Sequence, residues 1–270
     1  RDREMMRLAN AHGVEFLGVS FVEDAGHVQA IREAVGPSPR IVSKIETQAA
    51  LEHLEEILAA SDAVMIDRGD LSLETDVHTI AVLQKRVLDA ARRGGKPAIV
   101  ATEMLHSMID KPMPTKAEIS DISNAVLDGA AALMLSGETA VGQFPVEAVT
   151  AMRRTAEAAA VLLQTRLDHD QPSEVYTIPQ AMGEAIALIC RRLPITKIVA
   201  VTVSGYAARS IALRMPRQPI LAVSNDPVAA RSFQLLPGTE GIHVELSFSR
   251  TSTDHIPKCL EALWRQGKLV

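Results

Sequence analysis

Short aliphatic runs alternate with longer amphipathic stretches along most of this chain, and that rhythm restricts the fold more than any other feature. Val14–Ser20, Ile41–Ile45, Ala63–Asp67, Pro97–Thr102 and Ala131–Ser136 read as buried strands. Leu51–Leu58, Ile80–Ala91 and Ile119–Leu127 keep a helical apolar period between them, and Gly94-Gly95 and Gly129 fall where helices should stop. Five successive βα units predict a parallel sheet with right-handed crossovers. The core is aliphatic: 47% of residues are apolar, yet there are only five Phe, two Tyr and one Trp. Helix-covered parallel sheets are built from such residues.

Residues 146–163 read as one further Ala-rich helix after Pro145. A polar stretch, Asp168–Ser173, predicts a linker. A second α/β unit follows. Its helices are expected at Ala181–Arg192, Ala207–Arg214, Pro227–Leu235 and Ile256–Gln266, and its strands at Lys197–Val203, Pro219–Ser224 and Gly241–Leu246. The expected domains are residues 1–165 and 174–270, in line with 270 residues at roughly 150 per domain.

The net charge of −5 argues against a general nucleic-acid binder, which needs a basic face. No apolar run is long enough for a membrane helix, and the start, Arg1-Asp2-Arg3-Glu4, lacks a signal peptide's apolar segment. Cys190 and Cys259 cannot form a disulfide scaffold, which fits a reducing, cytoplasmic compartment.

Polar residues gather where the strands of the first unit end. Lys44 and Glu46 close the second strand, and period-two alternation sends both to one face. Asp70 follows the third strand, Thr102 closes the fourth, and Ser136, Gly137 and Glu138 close the fifth. Taken singly, each has a plain fold-building explanation: a cap, a turn or a solvated edge. Together they mark the carboxyl ends of parallel strands, where α/β folds bind ligands. Glu46 and Asp70 could hold Mg²⁺, which takes one or two protein carboxylates. Lys44 beside it suits an anionic substrate, and Gly69 lets backbone N–H groups approach one closely.

These segments resemble the pyruvate kinase family. The resemblance rests on Ser43-Lys44-Ile45-Glu46-Thr47, Arg68-Gly69-Asp70-Leu71, Ala101-Thr102-Glu103-Met104-Leu105, Pro114-Thr115-Lys116-Ala117-Glu118, Asn124–Gly129 and Leu135-Ser136-Gly137-Glu138-Thr139-Ala140, in that order. It implies a partial (β/α)₈ TIM barrel, its last five βα units, followed by a smaller three-layer α/β domain. The implied reaction transfers the phosphoryl group of phosphoenolpyruvate to ADP, giving pyruvate and ATP, with Mg²⁺ and K⁺. Lys44 would stabilise the moving phosphoryl group, and Glu46 and Asp70 would ligate Mg²⁺. Arg68, Gly69, Asp70 and Thr102 would contact substrate, the Gly69 and Asp70 amides holding its carboxylate. Ser136 and Glu138 would join Thr102 in proton delivery. Thr202, Ser204 and Gly205 match the place where many members bind a phosphorylated effector, although a plain strand–helix turn explains them too. The family's usual state is a cytoplasmic homotetramer, with no nucleic-acid or membrane partner.

Three departures stand out. Asp67 replaces a usual Ala, Ser72 a usual Gly and Glu103 a common Gln. A full barrel takes about 250 residues, so the first three units and the lid would lie outside this chain, with an Arg for phosphate and most K⁺ ligands. An open half barrel exposes several hundred Å² of apolar core, on the order of 10 kcal/mol at roughly 25 cal/mol per Å². The expectation is therefore a fragment of a longer protein, with negligible turnover alone. A catalytically silent regulatory relative and a metal-dependent lyase of the phosphoenolpyruvate/pyruvate barrel group are the competing readings.

Overall fold

The computed structural model describes residues 2–36, 38–167, 178–249 and 253–269. The chain divides into two compact units, Arg1–Asp170 and Gln171–Val270.

The first unit runs α1 (Asp2–Ala11), β1 (Phe16–Val19), α2 (Ala25–Val35), β2 (Arg40–Ile45), α3 (Gln48–Glu52), α4 (Leu54–Ala60), β3 (Ala63–Asp67), α5 (Arg68–Glu74) and α6 (Ile80–Arg93). It continues through β4 (Ala98–Ala101), α7 (Lys116–Leu127), β5 (Ala132–Met134), α8 (Gly137–Ala140) and α9 (Pro145–Leu167). The five strands pair in parallel, in sequence order. This is a barrel-like parallel α/β sheet.

Strand alternation divides the sheet's side chains between two faces. Ile41 and Ile45 of β2, Val64 and Ile66 of β3, and Ala98 and Val100 of β4 all join one buried cluster. Val28 and Ile31 of α2, Leu54, Ile57 and Leu58 of α4, Val87 and Leu88 of α6, and Ile122 and Ala125 of α7 pack into it. The other face carries Val42, Lys44, Met65 and Asp67, because residues paired across strands project to the same side.

Helix starts follow local chemistry. Asp24 accepts a hydrogen bond from the His27 N–H and caps α2, and Thr47 does the same for α3 through the Ala50 N–H. Thr115 and Glu118 form a reciprocal capping box at α7. Glu118 also accepts from the Ser107 N–H and hydroxyl, at 2.7 and 2.6 Å.

The second unit contains α10 (Ile178–Arg192), β6 (Ile198–Val201), α11 (Tyr206–Ala212), β7 (Ile220–Ser224), α12 (Pro227–Ser232), β8 (Thr239–His243) and α13 (His255–Arg265). Its three strands are parallel, in the order β6-β7-β8. Phe233 and Leu236 pack with Ile211 and Ile220 in one cluster, and Leu221, Val223, Cys259 and Leu263 pack in another. Burial raises the pKa of both Cys190 and Cys259, which keeps these thiols protonated.

Several sequence expectations change in detail. The segment expected as one helix at Leu51–Leu58 breaks at His53 (φ −100°, ψ 19°) into α3 and α4. Arg68-Gly69-Asp70-Leu71, which follows the third strand, is the opening of α5. Helices α1 and α2 have no counterpart in the sequence reading. The expected linker, 168–173, lies outside the described residues. No helix among the described residues is long and apolar enough to cross a membrane.

Candidate active site

Strand register assembles the centre. Lys44 pairs with Met65 and Ile45 with Ile66, so Glu46 comes level with Asp67. Asp67 pairs in turn with Ala101, which places Thr102 one step beyond. Three neighbouring strands therefore end at one height.

Lys44 Nζ lies 2.8 Å from Glu46 Oε2 and 2.9 Å from Asp67 Oδ2. It also donates to Ser20 Oγ at 3.2 Å, just past β1. Burial works to lower the Lys44 pKa, but the close negative charges of Glu46 and Asp67 outweigh it and leave the pKa above its ordinary value. Glu46 is fully buried and accepts the Phe21 N–H through Oε1 at 2.6 Å.

Glu46, Asp67 and Asp70 each offer a carboxylate oxygen, and the three oxygens lie within 4.8 Å of one another. Glu46 Oε2 is buried and makes no hydrogen bond of good geometry, so its contact with Lys44 is an ion pair that leaves a lone pair to offer. The Asp70 carboxylate has no hydrogen-bond or ion-pair partner among the described residues. Oxygen-only donors, clustered and incompletely used, suit a hard divalent cation.

Thr102 (φ +65°) and the following Glu103 (φ +54°) both adopt left-handed backbone conformations. Non-glycine residues there cost on the order of 1–3 kcal/mol each and persist where surroundings hold them. Arg68 does the holding: Nη2 and Nε donate to the Thr102 carbonyl at 2.7 and 3.2 Å. Arg68 Nη1 pairs with Asp121 Oδ2 at 2.7 Å. Thr102 Oγ1 accepts the Gly69 N–H at 2.9 Å. Its own single proton lies between the Ala101 carbonyl at 2.7 Å and Asp67 Oδ1 at 3.2 Å.

The expected site residues thus fall into two groups. Lys44, Glu46, Gly69, Asp70 and Thr102 come together, with Asp67 among them. Arg68 is buried, and its guanidinium is directed to protein partners; the Gly69 N–H is taken by Thr102. Glu138 is buried, and its two oxygens accept the Leu105 and Ser136 N–H groups at 2.9 and 2.8 Å. Among the described residues, no hydrogen bond joins Ser136 or Glu138 to the carboxylates. The roles of Asp121, Ser20 and the Phe21 amide carry no sequence signal, since each depends on how distant segments meet.

In the second unit, Thr202 is buried, and its Oγ1 accepts the Gly205 N–H at 3.0 Å. Gly205 (φ +78°) lies close against the Phe233 ring, where any Cβ would overlap it. These contacts build a strand–helix turn.

The family model "Pyruvate kinase, barrel domain" matches residues 1–149, and "Pyruvate kinase, alpha/beta domain" matches residues 180–269. The chain belongs to the pyruvate kinase family. It is 39% identical to a pyruvate kinase of Thermotoga maritima, over 77% of this chain and 45% of that protein. It is 40% identical to human pyruvate kinase PKLR, over 79% of this chain and 42% of the relative. Pyruvate kinase 2 of Synechocystis is 38% identical, over 78% of this chain and 36% of its own length. The chain thus spans less than half the length of these pyruvate kinases. The cluster of Lys44, Glu46 and Asp70 falls within the barrel-domain match.

Proposed function

We propose that this pyruvate kinase chain takes part in phosphoryl transfer from phosphoenolpyruvate to ADP, giving pyruvate and ATP. The observation that carries the reading is Lys44, held by two buried carboxylates at a strand-end rim that also gathers Asp70 and Thr102.

Glu46 and Asp70 would hold Mg²⁺, which neutralises charge on phosphate and carboxylate oxygens when bound. Lys44 would place an ammonium against the transferring phosphoryl group. Its raised pKa keeps that charge in place across the neutral range. Phosphoryl transfer gains mostly from positioning and charge stabilisation, and Lys44 supplies both. The Thr102 hydroxyl would face the enolate carbon that accepts a proton to give pyruvate. Glu138 would act on this step indirectly, fixing the backbone of Leu105 and Ser136. Arg68 would support the substrate side by locking the Thr102 backbone. K⁺ dependence, a cytoplasmic homotetramer and a phosphate effector near Thr202, Ser204 and Gly205 belong to the same proposal. Their support is family membership.

The test is a coupled assay of the native gene product with phosphoenolpyruvate, ADP, Mg²⁺ and K⁺. Turnover lost on Lys44→Met supports the proposal. Binding of phosphoenolpyruvate without turnover would favour a silent relative. Carbon–carbon cleavage of a 2-oxo acid would favour a lyase.

A further inference from the structure

Glu46 has two tasks that conflict. Its Oε2 is the 2.8 Å partner of Lys44 and also the buried oxygen with a lone pair for a cation. A divalent ion drawn to Glu46 weakens that oxygen's hold on the ammonium and repels the ammonium directly. With Glu46 as sole counter-ion, filling the cation seat would loosen the lysine. Ser20 Oγ at 3.2 Å is exposed and uncharged, and it is no substitute.

Asp67 approaches Lys44 from the next strand. Its Oδ2 lies 2.9 Å from Nζ, and its Oδ1 lies 3.2 Å from the Thr102 hydroxyl. The residue is only 6% exposed and is fixed as the last paired residue of β3, opposite Ala101. Both of its oxygens are thus engaged, by Lys44 and by Thr102, whereas the Asp70 carboxylate has no partner among the described residues. With Asp67 present, the carboxylates outnumber the lysine by two charges, which is the charge of a divalent ion.

We infer that Asp67 is a positioning residue: a second counter-ion that keeps Lys44 beside Thr102 once Glu46 is committed to a divalent cation. The inference rests on the proposed reaction for its catalytic consequence, but not for its structural one. One carboxylate serves the metal, the other serves the lysine, and the lysine–threonine spacing survives metal binding.

The experiment compares the native gene product with its Asp67→Asn variant, which keeps the side-chain shape and removes the charge. Crystal structures of both are solved with Mn²⁺ and no substrate, and both are assayed with phosphoenolpyruvate and ADP. In Asp67→Asn, Lys44 Nζ is expected to move by about 1 Å or more while Mn²⁺ stays on Glu46 and Asp70. A displacement of that size lowers kcat roughly tenfold to a hundredfold, with KM for phosphoenolpyruvate changed less than about threefold. Asp67→Ser is the second variant and should do the same.

Lys44 unmoved in Asp67→Asn overturns the inference. So does Mn²⁺ coordinated by Asp67 in the unsubstituted protein, or a loss confined to KM. Failure of both variants to fold makes Asp67 a fold residue and also overturns it. If the unsubstituted protein does not turn over phosphoenolpyruvate, the proposed reaction falls, while displacement of Lys44 in the Mn²⁺ structures still upholds the positioning role.

Discussion

The Arg68 guanidinium grips the Thr102 carbonyl with two of its nitrogens, Nη2 at 2.7 Å and Nε at 3.2 Å, while Nη1 reaches Asp121. A planar fork satisfies three directions that a single ammonium cannot. Arg68→Lys is therefore expected to lose about 2 kcal/mol of stability, the scale of hydrogen bonds to charged groups. Urea unfolding midpoints measure this. Thr102 should also relax from its left-handed backbone, visible in a crystal structure of the variant.

Glu118 ties Ser107 to the start of α7. Partial burial alone would raise its pKa, but hydrogen bonds from Ser107 and Thr115 outweigh that and bring it below the usual value of 4.5. A carboxyl with a depressed folded pKa contributes stability that is present above its unfolded pKa and is lost as pH falls through the folded one. The stability gap between the protein and Glu118→Gln should be constant near neutrality and close below about pH 4. Denaturation curves across that range read it directly.

Glu138 accepts two backbone N–H groups with two oxygens. Glu138→Gln turns one acceptor into a donor and leaves one buried N–H facing an amide. The expected loss is about 1–3 kcal/mol in unfolding free energy. A thermal melt with unchanged stability would show that Glu138 is not a brace.

Gly241 in β8 lies against the Ala230 carbonyl with no room for a Cβ, whereas Gly238 has open space but a φ of +60°. Gly238→Ala carries only a backbone penalty of roughly 1–2 kcal/mol. Gly241→Ala must shift a helix backbone and should destabilise the second unit more. Melting temperatures of the two variants order these effects.

Cation binding at Glu46 and Asp70 should stabilise the folded chain. At a hundredfold excess over Kd the gain is about 2.7 kcal/mol. Mg²⁺ or Mn²⁺ should raise the melting temperature of the protein, and Glu46→Gln should remove most of that rise. An equal rise in the variant would place the ion elsewhere.

Much of this centre is legible from local periodicity. Alternation alone sends Lys44 and Glu46 to one face, and their Nζ–Oε2 distance of 2.8 Å agrees. Inter-strand register is a different matter. Nothing along the chain says that Glu46 stands level with Asp67, so Asp67 reads as an extra carboxylate beside the expected metal site, and its pairing with Lys44 stays hidden. Arg68 lies among polar neighbours in sequence, yet its side chain turns inward to Asp121, 53 residues away. Gly69 and Asp70 suggest a turn because glycine and aspartate are poor helix formers, but tertiary contacts with Thr102 begin α5 there. The split at His53 is equally hidden, since Leu51, Leu54 and Leu58 keep an unbroken helical period across it.

The alignment of β2, β3 and β4 limits how this centre can evolve. Adding one residue within β3 would rotate Asp67 half a turn, strip Lys44 of a neighbour and slide every later pairing against Ala98–Ala101. Insertions and deletions are thus barred within the middle strands, and sequence length can drift freely only in the connections between strands and helices.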